Sequence, residues 1–490
     1  MRSMGGWILA ALLASLWGGP LAAQDPEASE QTRGVRAPGD SLQLTLEQAV
    51  ARAQDTSEEV RLARAQVDLA GAQVRNVRST ALPQINGSFG YTRTFQSQFS
   101  GGGDVEIADS LKFEPDSLGS VADRLRYLEK HAATAGLGWF GNLPFGRVNA
   151  YSVNLSGSQT LYSGGRVGSA LKAAGLYREA ADLQLEEQQA DIELSVRSAY
   201  YRALLAGELE RIAEAAVAQA DAFLAQERIR ERSGSASELD VMRAEVGASN
   251  LRTQAIQAAN SADLALLDLR RLVNLPADRP VKLTTALEVP ATARLSAPAA
   301  DSTDLANRAA VSAAERQVHM RELGVKIARG GYLPSASLRV NYGRFLYPNQ
   351  PFSWGGNSWA SDLSASLTVD LPIFNGLRRE AEIDQARVEQ VQALLQLAQL
   401  KEAVSLQYEQ ASGEQRRAAA AILARQQTVA QAQLVYDLTV LRYDLGLATQ
   451  LEVSDARLAL LQASTNLALA LSDFYIAEAT VRRALGRSGI

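Results

Sequence analysis

The 490-residue chain has no cysteine, so it holds no disulfide framework, thiol nucleophile, iron–sulfur cluster or cysteine zinc site. The same absence removes the residue on which a bacterial lipoprotein carries its anchor. Histidine occurs only as His131 and His319, too few and too scattered for a histidine metal cluster, and neither metal nor cofactor is expected. Apolar runs are short. None approaches the roughly 20 residues that a membrane-spanning helix requires, which excludes a helical inner-membrane protein. Basic residues are not in excess: 49 lysines and arginines stand against 54 acidic residues, and a pI near 5.5 lacks the electrostatic footprint of a nucleic-acid binder. With no histidine pair and no phosphate-cradling glycine loop between a strand and a helix, no catalytic constellation stands out. An enzyme is not expected.

What is present begins with an address. Arg2 supplies a positive n-region, Ile8 to Trp17 is a ten-residue apolar run, and Ala22-Ala23 offers a small-residue cleavage site, so residues 1–23 read as a secretory signal. Residues 24–43 follow as an N-terminal linker.

The rest of the chain is one pattern written twice. Leu161-Tyr162-Ser163-Gly164-Gly165-Arg166 matches Ile373-Phe374-Asn375-Gly376-Leu377-Arg378, and Arg230-Glu231-Arg232-Ser233-Gly234 matches Arg442-Tyr443-Asp444-Leu445-Gly446. Both pairs of landmarks are 212 residues apart. The Leu82-Pro83 and Leu333-Pro334 pair is 251 residues apart, which places an insertion between two strands of the first half. The repeats span 44–287 and 303–487, joined by an Ala/Pro-rich linker at 288–302. Repetition overrides the length-based prior of about three domains. Each half reads helix, strand, loop, strand, long helix, turn, helix. Thr45 and Gln48 form a capping box opening a helix that should run to Pro83, with Ser302 to Leu333 as its counterpart. From Arg166 to about Arg232, and again from Arg378 to Asp444, strong helix formers continue without proline. At 1.5 Å per residue each helix reaches about 100 Å. Further helices then run to about Val273 and Leu485.

The strand segments alternate. Ile85, Phe89, Tyr91 and Phe95 share one face of the first, while Asn86, Ser88, Thr92 and Thr94 share the other. Tyr151, Val153, Leu155 and Leu161 oppose Ser152, Asn154, Ser156 and Thr160; Leu363, Leu367, Val369 and Leu371 oppose Asp362, Ser364, Ser366 and Thr368. A soluble sheet with one wet face shows the same alternation. Export and the small polar face, suited to a water-filled lumen, favour a transmembrane β-barrel. Four strands cannot close; known barrels need about eight or more, so a membrane barrel here implies an oligomer. The long loop from Ser100 to Arg147 and the shorter one near Pro348 to Ala360 would face outward, and the helices the periplasm.

With these residues in this order and duplicated, the chain resembles the TolC-like outer-membrane efflux proteins over nearly its whole mature length, in their non-lipidated branch. The resemblance implies an α+β membrane protein of two structural repeats. It also implies a homotrimer in outer-membrane lipid, with a twelve-stranded β-barrel continued by a periplasmic α-helical barrel. The implied function is an exit duct for tripartite efflux or type I secretion, docked by a periplasmic adaptor and powered by an inner-membrane transporter. The alternative is a periplasmic coiled-coil structural or adaptor protein, which leaves the duplicated amphipathic strands unexplained. The cargo is not legible.

Candidate residues cluster at the two helix turns. Glu452 follows Thr449 by three residues, as a capping box requires, and Asp240 follows Ser237 in the same way; Asp455, one turn further on, is not needed for capping. The resemblance gives Glu452 and Asp455 a second role, as acidic rings of a periplasmic constriction, and pairs Tyr443 with Asp240 in holding the tip closed. A further family contact uses arginine where this chain has Ala448, so a less firmly locked gate is expected. The turns Ser233, Gly234, Ser235 and Leu445, Gly446, Leu447 are the expected adaptor contacts, and Gly164, Gly165 and Gly376 mark the barrel-to-helix turns.

Overall fold

The computed structural model describes residues 42–96, 120–140, 148–276, 280–290, 305–348, 350–351 and 359–486. The expected export signal and most of the long first loop lie outside the described residues. Repeat 1 comprises β1 (Leu42–Leu44), α1 (Leu46–Thr56), α2 (Glu58–Ser79), β2 (Gln84–Arg93), α3 (Val121–Phe140), β3 (Asn149–Tyr162), α4 (Arg166–Arg232), α5 (Glu238–Leu272) and β4 (Val281–Leu283). Repeat 2 comprises α6 (Ala309–Arg329), β5 (Ser335–Leu346), β6 (Ala360–Asp370), α7 (Arg378–Asp444) and α8 (Gln450–Ala484). The duplication is metric: α4 and α7 each have 67 residues and α5 and α8 each have 35.

Two expectations need correction. The helix opened by the Thr45–Gln48 capping box does not run to Pro83 but stops at Thr56. Ser57 is extended (φ −64°, ψ 143°) and its side chain accepts from the Val60 amide, capping α2, the competition with helix that short hydroxyl side chains offer. Arg308, 251 residues later, is likewise extended immediately before α6, so the break is part of the repeat. Second, the linker read as 24–43 ends in structure: β1 pairs in parallel with β4, Leu42 opposite Val281. The helix α3 inside the first loop was not anticipated either.

The four long strands form one antiparallel sheet in the order β2-β3-β5-β6. Gln84 stands opposite Ser158 and Ser335 opposite Asp370, so both hairpins keep one register. β2 and β6 are the open edges. No helix among the described residues is long and apolar enough to cross a membrane.

The helices pack through narrow seams rather than one broad apolar face. Along α8, Val453, Ala456, Leu460, Ala463, Ala470, Phe474, Ala477, Val481 and Ala484 are buried at the three-and-four spacing of a coiled coil, with alanine allowing close approach. The largest core joins α1, α4, the end of α5 and the β1–β4 pair, where Tyr200 donates to the Leu44 carbonyl at 3.0 Å. Beside it lies an ionic knot: Glu187 accepts from Arg308 at 2.8 Å and from Arg483 at 2.6 Å, Arg308 also reaches Gln407, and Arg483 reaches Asp191. It ties α4, α7, α8 and the approach to α6 together.

Candidate functional site at the helical tip

Both long helices end in the same way. In α4, Gly234 takes φ +76°, its amide donates to the Glu231 carbonyl and the Ser235 amide to Arg230. In α7, Gly446 takes φ +73°, its amide donates to Tyr443 and that of Leu447 to Arg442. These are Schellman ends, which need glycine at the left-handed position. The turn residues Ser233, Gly234, Ser235, Leu445, Gly446 and Leu447 are all exposed. Gln450 donates to the Asp240 carbonyl at 2.8 Å, so the two turns lie side by side within one chain.

The acids at the turns divide by what they touch. Glu452 closes a capping box: its carboxylate accepts from the Thr449 amide at 2.6 Å and its own amide donates to Thr449 Oγ1 at 3.3 Å. Asp240 does the same with Ser237, accepting from its amide at 3.1 Å and its hydroxyl at 2.6 Å. These hydrogen bonds hold the Asp240 carboxyl below the usual carboxylate range. Asp455 is exposed one helical turn beyond Glu452, on the same face of α8.

The chain does not bring Tyr443 and Asp240 into a mutual hydrogen bond. Tyr443 instead turns toward the end of α4. Its ring lies 5.5 Å from that of Phe223 and 4.6 Å from the Arg230 guanidinium. Arg230 also bonds Asp444 at 2.9 Å, helped by Gln226 at 2.8 Å, and stands 3.8 Å from Glu227. Glu227 is fully buried, with its carboxylate beside the Tyr443 hydroxyl. Burial, and then this adjacent carboxylate, push the Tyr443 hydroxyl up to about 12. From the sequence, Arg230 and Asp444 stood out only as repeat landmarks, and Phe223, Gln226 and Glu227 not at all. Arg230 and Asp444 are 214 residues apart, and no local pattern announces such a pair.

Higher up, a cavity of about 410 Å³ lies between α4, α7 and α8. It carries the ion-paired Arg211 and Glu208 and Arg457, which burial holds below the usual arginine range. No group of metal ligands is brought together among the described residues.

At the other end of the helices, Gly164 and Gly165 take φ +63° and +76°, and Gly376 and Leu377 take +68° and +65°. A side chain on Gly164 would collide with the Gly330 carbonyl and Leu333, whereas Gly376 faces open space. Arg166, which follows the first glycine pair, donates to the Ser163 carbonyl at 3.0 Å and so braces the turn.

Comparison with known proteins finds the same fold among solved outer membrane channels. The Campylobacter jejuni CmeC outer membrane channel superposes with a TM-score of 0.70 at 17% identity, covering 90% of this chain and 85% of that one. CusC, crystallised in work on folding and transmembrane channel formation, gives 0.70 at 19%, covering 90% and 91%. The open Neisseria gonorrhoeae MtrE outer membrane channel gives 0.68 at 20%, covering 90% and 88%. In sequence, the pyoverdine export outer membrane protein OpmQ of Pseudomonas putida is 26% identical over 328 residues, 64% of this chain and 66% of that relative, just under two thirds of its length. The pattern described as "Outer membrane efflux protein" matches residues 49–275 and 302–487. With that match spanning both repeats, the chain belongs to the outer membrane efflux protein family, and its place is the outer membrane.

Proposed function

We propose that the protein is a passive exit duct, receiving substrate at the helical tip and releasing it through a barrel, without catalysis. The observation that carries this reading is the sheet. Its order β2-β3-β5-β6 alternates direction throughout, so β6 of one copy meets β2 of another antiparallel, head to tail, and a ring of copies closes without leaving an edge. Three copies make the twelve strands that the family resemblance implies, and the 67-residue helices continue the tube into the periplasm. Exposed apolar side chains on α5 and α7, Met242, Val246, Leu395 and Leu438 among them, supply surface for neighbouring copies. The exposed tip, with Leu445, Leu447 and Leu451 at its apex, is the surface for a periplasmic adaptor and, through it, an inner-membrane transporter. Cargo such as the pyoverdine named for the Pseudomonas relative fits such a duct, as does a type I secretion substrate. Residues 1–23 would direct export, and 44–287 and 303–487 would be the two repeats.

In the ring, Glu452 and Asp455 each contribute one carboxylate per copy to a cation-gathering constriction. Single-channel recording in a planar bilayer tests this. Glu452→Gln keeps an oxygen for the Thr449 cap while removing charge, so the Glu452→Gln/Asp455→Asn variant should keep the current and lose cation preference. Unchanged selectivity would return both acids to structural roles, and an absence of channels would remove the duct itself.

A further inference from the structure

The apolar face of the sheet breaks its own rule at two positions. Across β2, β3, β5 and β6, the residues that share a face with Phe89, Leu155, Val340 and Leu367 include no acid, and the only charged ones are Arg93 and Arg344. Asp362, Asp370 and Arg339 belong to the opposite, polar face. The two arginines are equivalents. The 251-residue offset that relates Pro83 to Pro334 also carries Tyr91-Thr92-Arg93 onto Tyr342-Gly343-Arg344.

Neither arginine has a hydrogen-bond or ion-pair partner among the described residues, and Arg344 Nε is screened from solvent without an acceptor. Each guanidinium instead stands over an aromatic ring, Arg93 at 5.7 Å from the centroid of Phe95 and Arg344 at 5.7 Å from that of Trp359. Such a contact uses the flat face of the cation. It leaves the edge N–H groups free, and their fork matches two oxygens of a phosphate.

Resting on the ring reading above, we propose that Arg93 and Arg344 hold the phosphate groups of phosphorylated glycolipid in the outer leaflet of the membrane. Their depth fits that ligand. Arg93 is the tenth residue of β2 and Arg344 the tenth of β5. From the first residue to the tenth, a strand rising 3.3 Å per residue at a tilt of 35–45° climbs about 21–24 Å. The apolar band of such a barrel is about 25 Å tall, so both arginines reach its edge farthest from the helices, at the level of the head groups. Being repeat equivalents, they reach the same level, and a ring of three copies carries six of them with no acid on that face to neutralise them. Just below each stands an exposed tyrosine, Tyr91 or Tyr342, followed by Phe89 or Val340. A free phosphate would leave that apolar surface bare, whereas a lipid covers it with its acyl chains and sets its phosphate against the arginine.

The test counts bound lipid. Protein in neutral detergent is mixed with lipid A carrying both phosphates, or with lipid A stripped of them, and analysed by native mass spectrometry. The wild-type multimer should retain the phosphorylated form several-fold better than the stripped one. Arg93→Gln/Arg344→Gln should abolish that preference while keeping the multimer and its current in a planar bilayer, because neither arginine gives up a protein partner. Arg93→Lys/Arg344→Lys should keep part of it, since an ammonium has the charge but not the fork. Arg339→Gln, on the polar face, should keep all of it, and inorganic phosphate at the same concentration should not displace the lipid. No preference in a conducting wild-type multimer, a preference that survives in the double glutamine variant, or displacement by inorganic phosphate overturns the lipid site and leaves the duct. Loss of the multimer in both double variants overturns it as well, and assigns the arginines to assembly. A wild-type protein that is monomeric and forms no channel overturns the ring reading, and the lipid site with it.

Discussion

Leu377 holds a left-handed backbone, φ +65°, where its counterpart in the first repeat is Gly165. A side chain there costs roughly 1–2 kcal/mol, and Gly165 needs no such expense. Leu377→Gly is therefore expected to stabilise the folded chain by about 1 kcal/mol, measured as a later midpoint in urea unfolding followed by helical circular dichroism. Gly164→Ala should act in the opposite sense and more strongly, because the added carbon meets both the strain of φ +63° and the Gly330 carbonyl. Tyr443 yields a pH prediction. Its hydroxyl ionises near 10 when unfolded and only at about 12 in the fold, so the protonated form contributes stability that is complete below pH 10 and lost between about pH 10 and 12. Tyr443→Phe keeps the ring contacts with Phe223 and Arg230 and should abolish that alkaline loss; a wild-type and variant that weaken in parallel above pH 10 would refute it.

The contacts that matter between elements join the two repeats. Arg230, in the last turn of α4, bonds Asp444 and stacks on Tyr443 in the last turn of α7, while Glu227 lies buried beside them. An exposed ion pair contributes at most about 1 kcal/mol, but removing the cation next to a buried carboxylate costs more, about 1–3 kcal/mol. Arg230→Gln should therefore speed amide exchange in the final turns of both α4 and α7, and Asp444→Asn should do so less. Equal effects would mean that Glu227 does not depend on Arg230. The knot at the other end of α8 is acid-sensitive. Burial alone would raise the Glu187 carboxyl, yet hydrogen bonds from Arg308 and Arg483 outweigh it and hold the group below its ordinary value. Its contribution is present above the unfolded value near 4.5 and is lost as pH falls through the lower folded value. Glu187→Gln should flatten the acid limb of a stability–pH profile below about pH 4.5.

Over the whole molecule, a charge placed on one face or the other of the alternating strands would tell a membrane barrel from a soluble sheet. Leu367→Lys places a charge on the outward face, expected to cost about 2–4 kcal/mol at mid-bilayer depth and to lower the amount assembled in outer membranes. Ser366→Lys, one residue away, would face the lumen of the proposed barrel and should assemble normally while altering ion selectivity. Equal tolerance of both would favour a sheet surrounded by water. Much of this architecture was legible. The strands announce themselves by a period of two, the long helices by uninterrupted helix formers, and the turns by Gly164, Gly234, Gly376 and Gly446, because each signal is local. The break at Ser57 was not, since serine interrupts a helix only when its side chain takes the next amide. Nor was the β1–β4 pair, whose three-residue strands are too short to show a period.

Sequence alone determined the duplication, its two offsets, the lengths of the long helices and the capping of both tips, all matters of spacing and nearest neighbours along the chain. Tertiary structure decided which distant groups meet. It set Tyr443 against Arg230 and Glu227, gathered Glu187, Arg308 and Arg483 into one knot, and ordered the strands so that β2 and β6 are left as edges. The physical reason is that a helix or strand is specified by the residues it contains, whereas an ion pair across 214 residues exists only once packing has brought both helix ends to the same place.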